Sequence, residues 1–527
     1  MGKLQTMRQL LRHFRSPRML CFSVLMLIPS LAFCQQLGIN LAGLHDWNSE
    51  LPFVDFFRLS RSWVSQENGK PWGKGPALEL DQQGWVKRLA PGCWVETCIL
   101  NIRGGHYPHG TYNLFYDGKG KIDINNVDGA FRQIGNRVVF EVTGDENIIW
   151  IQVKETDPAD YIRNIRVYPP GSSEKDGLLR LGFLHRWLGV KAVRFMEFMA
   201  INNSGEQFWH QRAKINDATW TTHGAPVEVA VTIANSLHAA PWFSIPHMAD
   251  NDYVRHFAQL VRERLNPNLP VYIEYSNETW NPMFSQTLYC REQGMARKLS
   301  HNPVQAGHRY AVHRSLEIFH IWEEVLGPTR KLIRVIGGQA AAPAVNEERL
   351  KYRNAWRTTD ALAIAPYLML TVSPDSTPPL AAVRNWSLKR LERELAENIL
   401  PRSTVWMMNG EKTAKQYGVS LIAYEGGQHL VGMLGAENDG QLTRLFQQAN
   451  HAPQMGRLYD LYLDQWQRIS SDGMICLWLS TEIWSKWGSW GLAEYYDDEV
   501  ENSPKLKAFL TRIRSDSGKL EGGCRQH

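Results

Sequence analysis

The feature that most constrains this chain is a repeated strand-then-helix rhythm that begins after Pro169-Pro170-Gly171. Short apolar runs recur at 192–199 (AVRFMEFM), 241–246 (PWFSIP), 271–276 (VYIEYS), 332–339 (LIRVIGGQ), 361–368 (ALAIAPYL), 419–427 (VSLIAYEGG) and 474–479 (MICLWL). Each fits a buried parallel strand. Helix-patterned segments lie between them, such as 252–265, 308–327 and 454–473, the last expected to stop at Gly473. An earlier run, GINLAGL at 38–44, supplies an eighth strand. Eight such units over this length predict a (β/α)8 TIM barrel, an α/β fold. A doubly wound sheet is the alternative, but no G-x-G-x-x-G follows the first strand and no Walker A motif is present.

Residues 80–168 break the rhythm. WVETCIL, GTYNLFYDG, KIDINNV, RVVFEVTG, NIIWIQVKE and YIRNIRVY are short alternating or β-branched runs separated by Gly, Asp and Asn turns. They predict an all-β, sandwich-like domain inserted after the first barrel strand, with its two ends close together at the rim. The expected division is a signal peptide at 1–34, the first strand and loop of the barrel at 35–76, the inserted domain at 77–170, the rest of the barrel at 171–515, and a flexible tail at 516–527.

Charge says little about partners. The formal net charge is +5, but Lys3, Arg8, Arg12, Arg15 and Arg18 all precede residue 35, where no acid occurs. Without them 53 basic residues face 53 acidic ones, so no basic surface for nucleic acid is expected. The basic start, the apolar run MLCFSVLMLIPSLAFC at 19–34, and small Ala32 and Cys34 before Gln35 read as a secretory leader. Secretion or delivery to a periplasm follows, without stable membrane insertion after cleavage. An uncleaved N-terminal anchor is the alternative. The remaining Cys93, Cys98, Cys290, Cys476 and Cys524 lack metal-site spacing. Cys93 and Cys98 on one strand would face opposite ways, too far apart to bond each other.

In a (β/α)8 barrel, catalytic groups come from the C-terminal ends of the strands. The fourth strand ends in Ser276-Asn277-Glu278-Thr279-Trp280-Asn281 and the seventh in Tyr424-Glu425-Gly426-Gly427. Paired carboxylates at a barrel mouth suit hydrolysis of a glycosidic bond, one protonating the leaving oxygen and the other attacking the anomeric carbon. Glu197 and Glu274 are read as structural, facing the helices or the lower barrel. Trp280, Trp484, Trp487 and Trp490 offer flat apolar faces for pyranose rings. A carbohydrate substrate is expected, with no metal and no organic cofactor.

On these residues the sequence resembles glycoside hydrolase clan A, the (β/α)8 retaining glycosidases that include the family 5 cellulases and mannanases. The resemblance spans 38–76 and 172–500 and rests on the Asn-Glu pair of strand four and the Glu of strand seven. It implies that Glu278 is the acid/base, Glu425 the nucleophile, and Asn277 the contact to the sugar 2-hydroxyl. It further implies that Arg194 steadies the nucleophile, Tyr367 stands beside it, His247 lines the sugar-binding subsite, and Trp478 floors the −1 subsite. Ala365 holds a place where many family 5 members have His. The rival expectation is a non-catalytic carbohydrate-binding protein on a glycosidase-like barrel. A third is an adhesion protein that uses the inserted domain.

Overall fold

The computed structural model describes residues 36–144, 148–328, 330–470 and 472–523. The expected leader at 1–34 and residues 524–527 of the expected tail, Cys524 among them, lie outside the described residues.

All eight expected strands form, all but the third shorter than the apolar run: Leu37–Asn40, Ala192–Arg194, Ala240–Ile245, Val271–Tyr275, Leu332–Gly337, Ala361–Ile364, Ser420–Ala423 and Ile475–Leu477. They pair in parallel in that order, and the first also pairs with the last, Gly38 against both Ala192 and Cys476, so the sheet closes into a barrel. The chain therefore folds as a (β/α)8 barrel. Its interior mixes small and large side chains, Ala192, Ala240, Ala361 and Ala363 beside Trp242, Tyr272 and Tyr424. That mixture lets side chains from different strands share a narrow lumen. Gly38 is part of the fit, because a Cβ there would stand 2.6 Å from Cys476 Sγ and 2.8 Å from the Ala192 carbonyl oxygen.

Amphipathic helices cover the outside. Asn251–Arg264 starts where the Asp250 side chain accepts from Tyr253 N, and it buries Tyr253, Val254, Phe257, Ala258 and Val261. The helix expected to stop at Gly473 ends earlier, spanning Pro453–Ile469. Ser470 ends it by donating to the Leu421 carbonyl and accepting from Gly473 N. The C-terminal helix spans Pro504–Gly523, so residues 516–523, expected in a tail, continue the helix instead.

Between the first and second barrel strands lie two four-stranded antiparallel sheets. One orders Val64–Glu67, Cys93–Ile99, Ile149–Thr156 and Gly120–Asn125; the other orders Arg163–Tyr168, Gly110–Asp117, Arg137–Val142 and Asp128–Ile134. Alternation puts Val95, Ile122, Ile124, Ile151 and Val153 of the first sheet, and Tyr112, Leu114, Val138, Phe140 and Val167 of the second, into the buried core. The first sheet takes its opening strand from Val64–Glu67, ahead of residue 77. The chain enters and leaves side by side: Phe53 bridges Leu179, Val54 N donates to the Leu178 carbonyl, and Arg180 N donates to the Pro52 carbonyl. The described cysteines, Cys93, Cys98, Cys290 and Cys476, are free thiols. No described helix is long and apolar enough to cross a membrane.

Candidate active site

Arg194, the last residue of the second barrel strand, is fully buried and organises the cup. One guanidinium nitrogen bonds Glu425 Oε1 at 2.9 Å and Asn40 Oδ1 at 3.2 Å. The other bonds Glu274 Oε2 at 3.0 Å and Asn277 Oδ1 at 2.9 Å. A planar five-donor fork can serve several acceptors at once, where a lysine offers one point charge. Four strands thus converge on one cation: the first (Asn40), second, fourth (Glu274, with Asn277 just beyond) and seventh (Glu425 just beyond). Burying a lone cation would be costly, and its two carboxylate partners offset that cost.

Of the two directions expected for Glu274, towards the helices or into the barrel, it takes the second. It faces the barrel interior because it shares the inward side of its strand with Tyr272, two residues earlier. It also accepts from Trp242 Nε1 at 3.0 Å. It is the second carboxylate on Arg194, and its charge adds to the rise of Glu425.

The strand-four end shows how neighbouring Asn277 and Glu278 enter one site. Regular pleat would send them to opposite faces. The strand stops at Tyr275, and Ser276 and Glu278 both take positive φ, 55° and 39°. Such a backbone costs a non-glycine residue ~1–2 kcal/mol. Surrounding bonds hold it. Gln286 Nε2 donates to the Asn277 carbonyl at 3.0 Å, Thr287 Oγ1 donates to the Asn281 carbonyl at 2.6 Å, and Asn277 Nδ2 donates to Asn202 Oδ1 at 3.1 Å.

The two candidate carboxyls sit in unlike surroundings. Glu425 accepts from Arg194 and, at Oε2, from the Tyr367 hydroxyl at 2.9 Å. Glu278 accepts from the Tyr424 hydroxyl at 3.0 Å and from Asn281 Nδ2 at 2.8 Å; among the described residues no cation is bonded to it, and the Arg194 charge acts on it only from a distance. Burial, and then the charge of Glu425, push the Glu278 pKa up to about 7. Burial also raises Glu425, but the adjacent Arg194 charge and the Tyr367 hydroxyl oppose that rise. Of the pair, Glu425 has the cation and the hydroxyl donor that favour its charged form, while burial and the charge of Glu425 favour the protonated form of Glu278.

The remaining candidates separate. Trp478 follows the eighth strand and packs against the interior cluster that contains Tyr367 and Tyr424; its backbone N–H donates to the Gly426 carbonyl at 2.9 Å. His247 is buried after the third strand, with Nδ1 unpartnered among the described residues and its ring edge-on to Tyr289. Burial alone lowers its pKa to about 4, so it is neutral. Trp280 is half-buried with an unpartnered indole nitrogen.

Trp484 does not offer a face to a ligand. It is buried between His451 and Lys505, whose ammonium lies 4.5 Å from the ring centroid, and its N–H is spent on the Gly491 carbonyl. Trp487 is 59% exposed and meets Lys486, away from the described contacts of the carboxyls.

Sequence reading missed three neighbours of the pair. Tyr424 was overlooked beside the more conspicuous Glu425. His429, in the strand Gln428–Gly432, lies 5.3 Å from the Tyr367 ring and accepts from Trp490 Nε1 at Nδ1. Nothing in its spacing signalled that role. Glu197 was read as structural, yet its carboxyl is raised first by burial and then by the charge of Glu425, which places it within electrostatic reach of the site. Among the described residues, no group of three or more His, Cys, Asp or Glu is arranged to hold a metal ion.

No family model and no curated protein matches the chain. Among solved structures it is similar to a GH5-4 broad specificity endoglucanase from an uncultured bacterium, at 12% identity over 62% of this chain and 82% of that one, with a TM-score of 0.31. It is similar also to a beta-glucosidase, 1317, in its apo form, at 12% identity over 63% of this chain and 86% of that one, TM-score 0.31. A third is a b-glucuronidase from Ruminococcus gnavus in complex with uronic isofagomine, at 9% identity over 80% of this chain and 88% of that one, TM-score 0.29. Likeness at this level settles neither substrate nor reaction. The barrel is established by its own strand pairing.

Proposed function

We propose that this chain is an exported retaining β-glycoside hydrolase acting on an oligo- or polysaccharide by double displacement. The observation that carries the reading is the asymmetry of two carboxyls at one barrel mouth, Glu425 buried and Glu278 half-buried. Glu425 is held as an anion by Arg194 and Tyr367, while Glu278, which has no bonded cation among the described residues, keeps a proton near neutral pH. Export rests on the leader sequence alone.

Each step uses a group already in position. Glu425 attacks the anomeric carbon, and Glu278 passes its proton to the departing glycosidic oxygen. Glu278, now a carboxylate, takes a proton from water, and that water displaces Glu425 to release the sugar with its original anomeric configuration. Asn277 Oδ1 is engaged by Arg194, and one amide hydrogen goes to Asn202; the other is left for a sugar hydroxyl. Tyr367, with its pKa far above 10, stays protonated and remains a donor to Glu425 throughout.

Trapping with a 2-deoxy-2-fluoro glycoside, followed by peptide mapping, tests the reading. The expected result is a covalent label on Glu425 and a retained anomer in the NMR spectrum of the first product. An inverted anomer would reject the double displacement. Carbohydrate binding without any turnover across a glycan panel would reject the enzyme and leave a binding protein.

A further inference from the structure

The sheet that runs Val64–Glu67, Cys93–Ile99, Ile149–Thr156, Gly120–Asn125 has a second face, turned away from the sandwich core. Strand alternation assigns it. Val95 and Ile151 point inward, so Trp94, Glu96, Trp150 and Gln152 point outward. Cross-strand pairing sets Trp150 opposite Asn125, and Gln152 opposite both Glu96 and Asp123.

Glu96 organises this face. Its carboxylate accepts from Gln66 Nε2 at 2.8 Å, Trp72 Nε1 at 2.6 Å, Gln152 Nε2 at 2.7 Å and Trp94 Nε1 at 3.4 Å. Trp72 arrives from the loop after the first strand of the sheet, where Gly73 N donates to Gln66 Oε1. An exposed indole is ordinarily free to turn and keeps its N–H for water. Here the N–H is tied to a buried carboxylate while the ring remains 58% exposed. The Trp72 ring is therefore fixed with apolar surface towards solvent, and it stands edge-on to Trp150 with centroids 6.2 Å apart. Trp94 is not part of this surface, because the Lys154 ammonium sits 4.1 Å from its ring centroid.

We propose that this outer face is a second carbohydrate-binding site, with Trp72 and Trp150 stacking on pyranose rings of an uncharged glycan chain and Asp123 and Asn125 bonding its hydroxyls. The composition argues for sugar over protein. Val64 is the one aliphatic side chain among the described outward positions of these four strands, whereas the centre of a protein interface is apolar and depleted in charge. Rings set among amides and carboxylates match a ligand whose C–H faces are apolar and whose edges carry hydroxyls. The ammonium groups of the face are already engaged, Lys121 with Asp123 at 3.8 Å and Lys154 over the Trp94 ring, and Glu96 and Asp123 would repel an anion, which favours an uncharged glycan over an acidic one. The face also leads to the barrel. Cys98, the next outward residue after Glu96, touches Asp46 Oδ2 at 3.4 Å, and Asp46 follows His45 in the loop that leaves the first barrel strand.

This site shares its ligand class with the proposed reaction but not its chemistry, so binding is measured with Glu425→Gln in the full-length chain. The assay is native affinity electrophoresis through gels containing hydroxyethylcellulose, glucomannan, arabinoxylan or mixed-linkage β-glucan. At least one polymer is expected to retard the protein, and adding Trp72→Ala with Trp150→Ala should weaken that binding about tenfold or more. Trp72→Tyr should restore part of it, which separates loss of a ring from loss of fold, and thermal melts of each variant check the fold directly. Retardation in none of the four gels, or retardation that the two substitutions leave unchanged, overturns the site. Polymer binding lost with Trp72 and Trp150 in a protein that never turns over substrate would keep this site and remove the enzyme.

Discussion

Tyr424 and Glu425 are neighbours in the chain, yet the Tyr424 hydroxyl bonds Glu278 Oε1 at 3.0 Å while Glu425 bonds Arg194 and Tyr367. Adjacent residues thus serve opposite carboxyls. The arrangement is possible because the seventh strand ends at Ala423 and Gly427 takes a φ of 114°, so Glu425 stands outside regular pleat. Gly426 has its own reason: a Cβ there would lie 2.5 Å from the Tyr462 hydroxyl oxygen.

A first prediction follows from the Tyr424 hydroxyl, which favours the ionised form of Glu278. Tyr424→Phe removes that bond and leaves the ring. Glu278 should then hold its proton to higher pH, moving the alkaline limb of the kcat/KM profile up by about one pH unit. A downward shift, or none, would remove this role.

In the unsubstituted protein, activity should fall on both sides of an optimum. As pH rises through about 7, Glu278 loses the proton it must donate. As pH falls, Glu425 gains a proton and ceases to attack. Glu278→Gln and Glu425→Gln should each lower kcat by ~10²-fold or more. Turnover of an aryl glycoside by each purified variant measures this.

Arg194→Met would leave Glu274 and Glu425 buried without their cation. Stability should drop by ~3–5 kcal/mol, the usual result of breaking a buried pair from one side. Urea unfolding measures the loss. Changing Glu274→Gln in the same chain should recover part of it, because one uncompensated charge is then removed.

The tryptophans after strand eight should divide. Trp484→Ala removes a buried ring and should cost ~3–5 kcal/mol. Trp487→Ala at an exposed position should stay within ~0.5 kcal/mol. Thermal or urea unfolding of the two variants distinguishes them.

Gly38→Ala tests closure of the barrel. Its Cβ would meet Cys476 Sγ and the Ala192 carbonyl inside contact distance, and overpacking of that kind should cost ~1–3 kcal/mol. A unchanged unfolding midpoint would mean that the lumen yields more easily than its packing indicates.

Much of the architecture was legible in the chain. Buried parallel strands are mainly apolar on both faces, so all eight appear as short, predominantly apolar runs, and a sandwich must alternate, so 80–168 reads differently. The positions of Glu278 and Glu425 at strand ends follow from the same periodicity. Periodicity did not give the partners of those carboxyls: Arg194 and Tyr367 beside Glu425 came only from the family resemblance, and Tyr424 and Asn281 on Glu278 came from the structure alone. Arg194 touches Asn40, Glu274, Asn277 and Glu425, which lie 154, 80, 83 and 231 residues away. Side-chain direction at a strand end depends on backbone that has left its repeat, as at Ser276 and Glu278, and periodicity carries no information there. For the same reason Trp484 and Trp487, three residues apart, look equivalent in sequence, yet one is wedged beneath Lys505 and the other faces solvent. Local pattern determined which elements form and which residues stand at their ends; closure of the barrel decided which of those residues meet, because only there do distant strands bring their charges into one water-poor space.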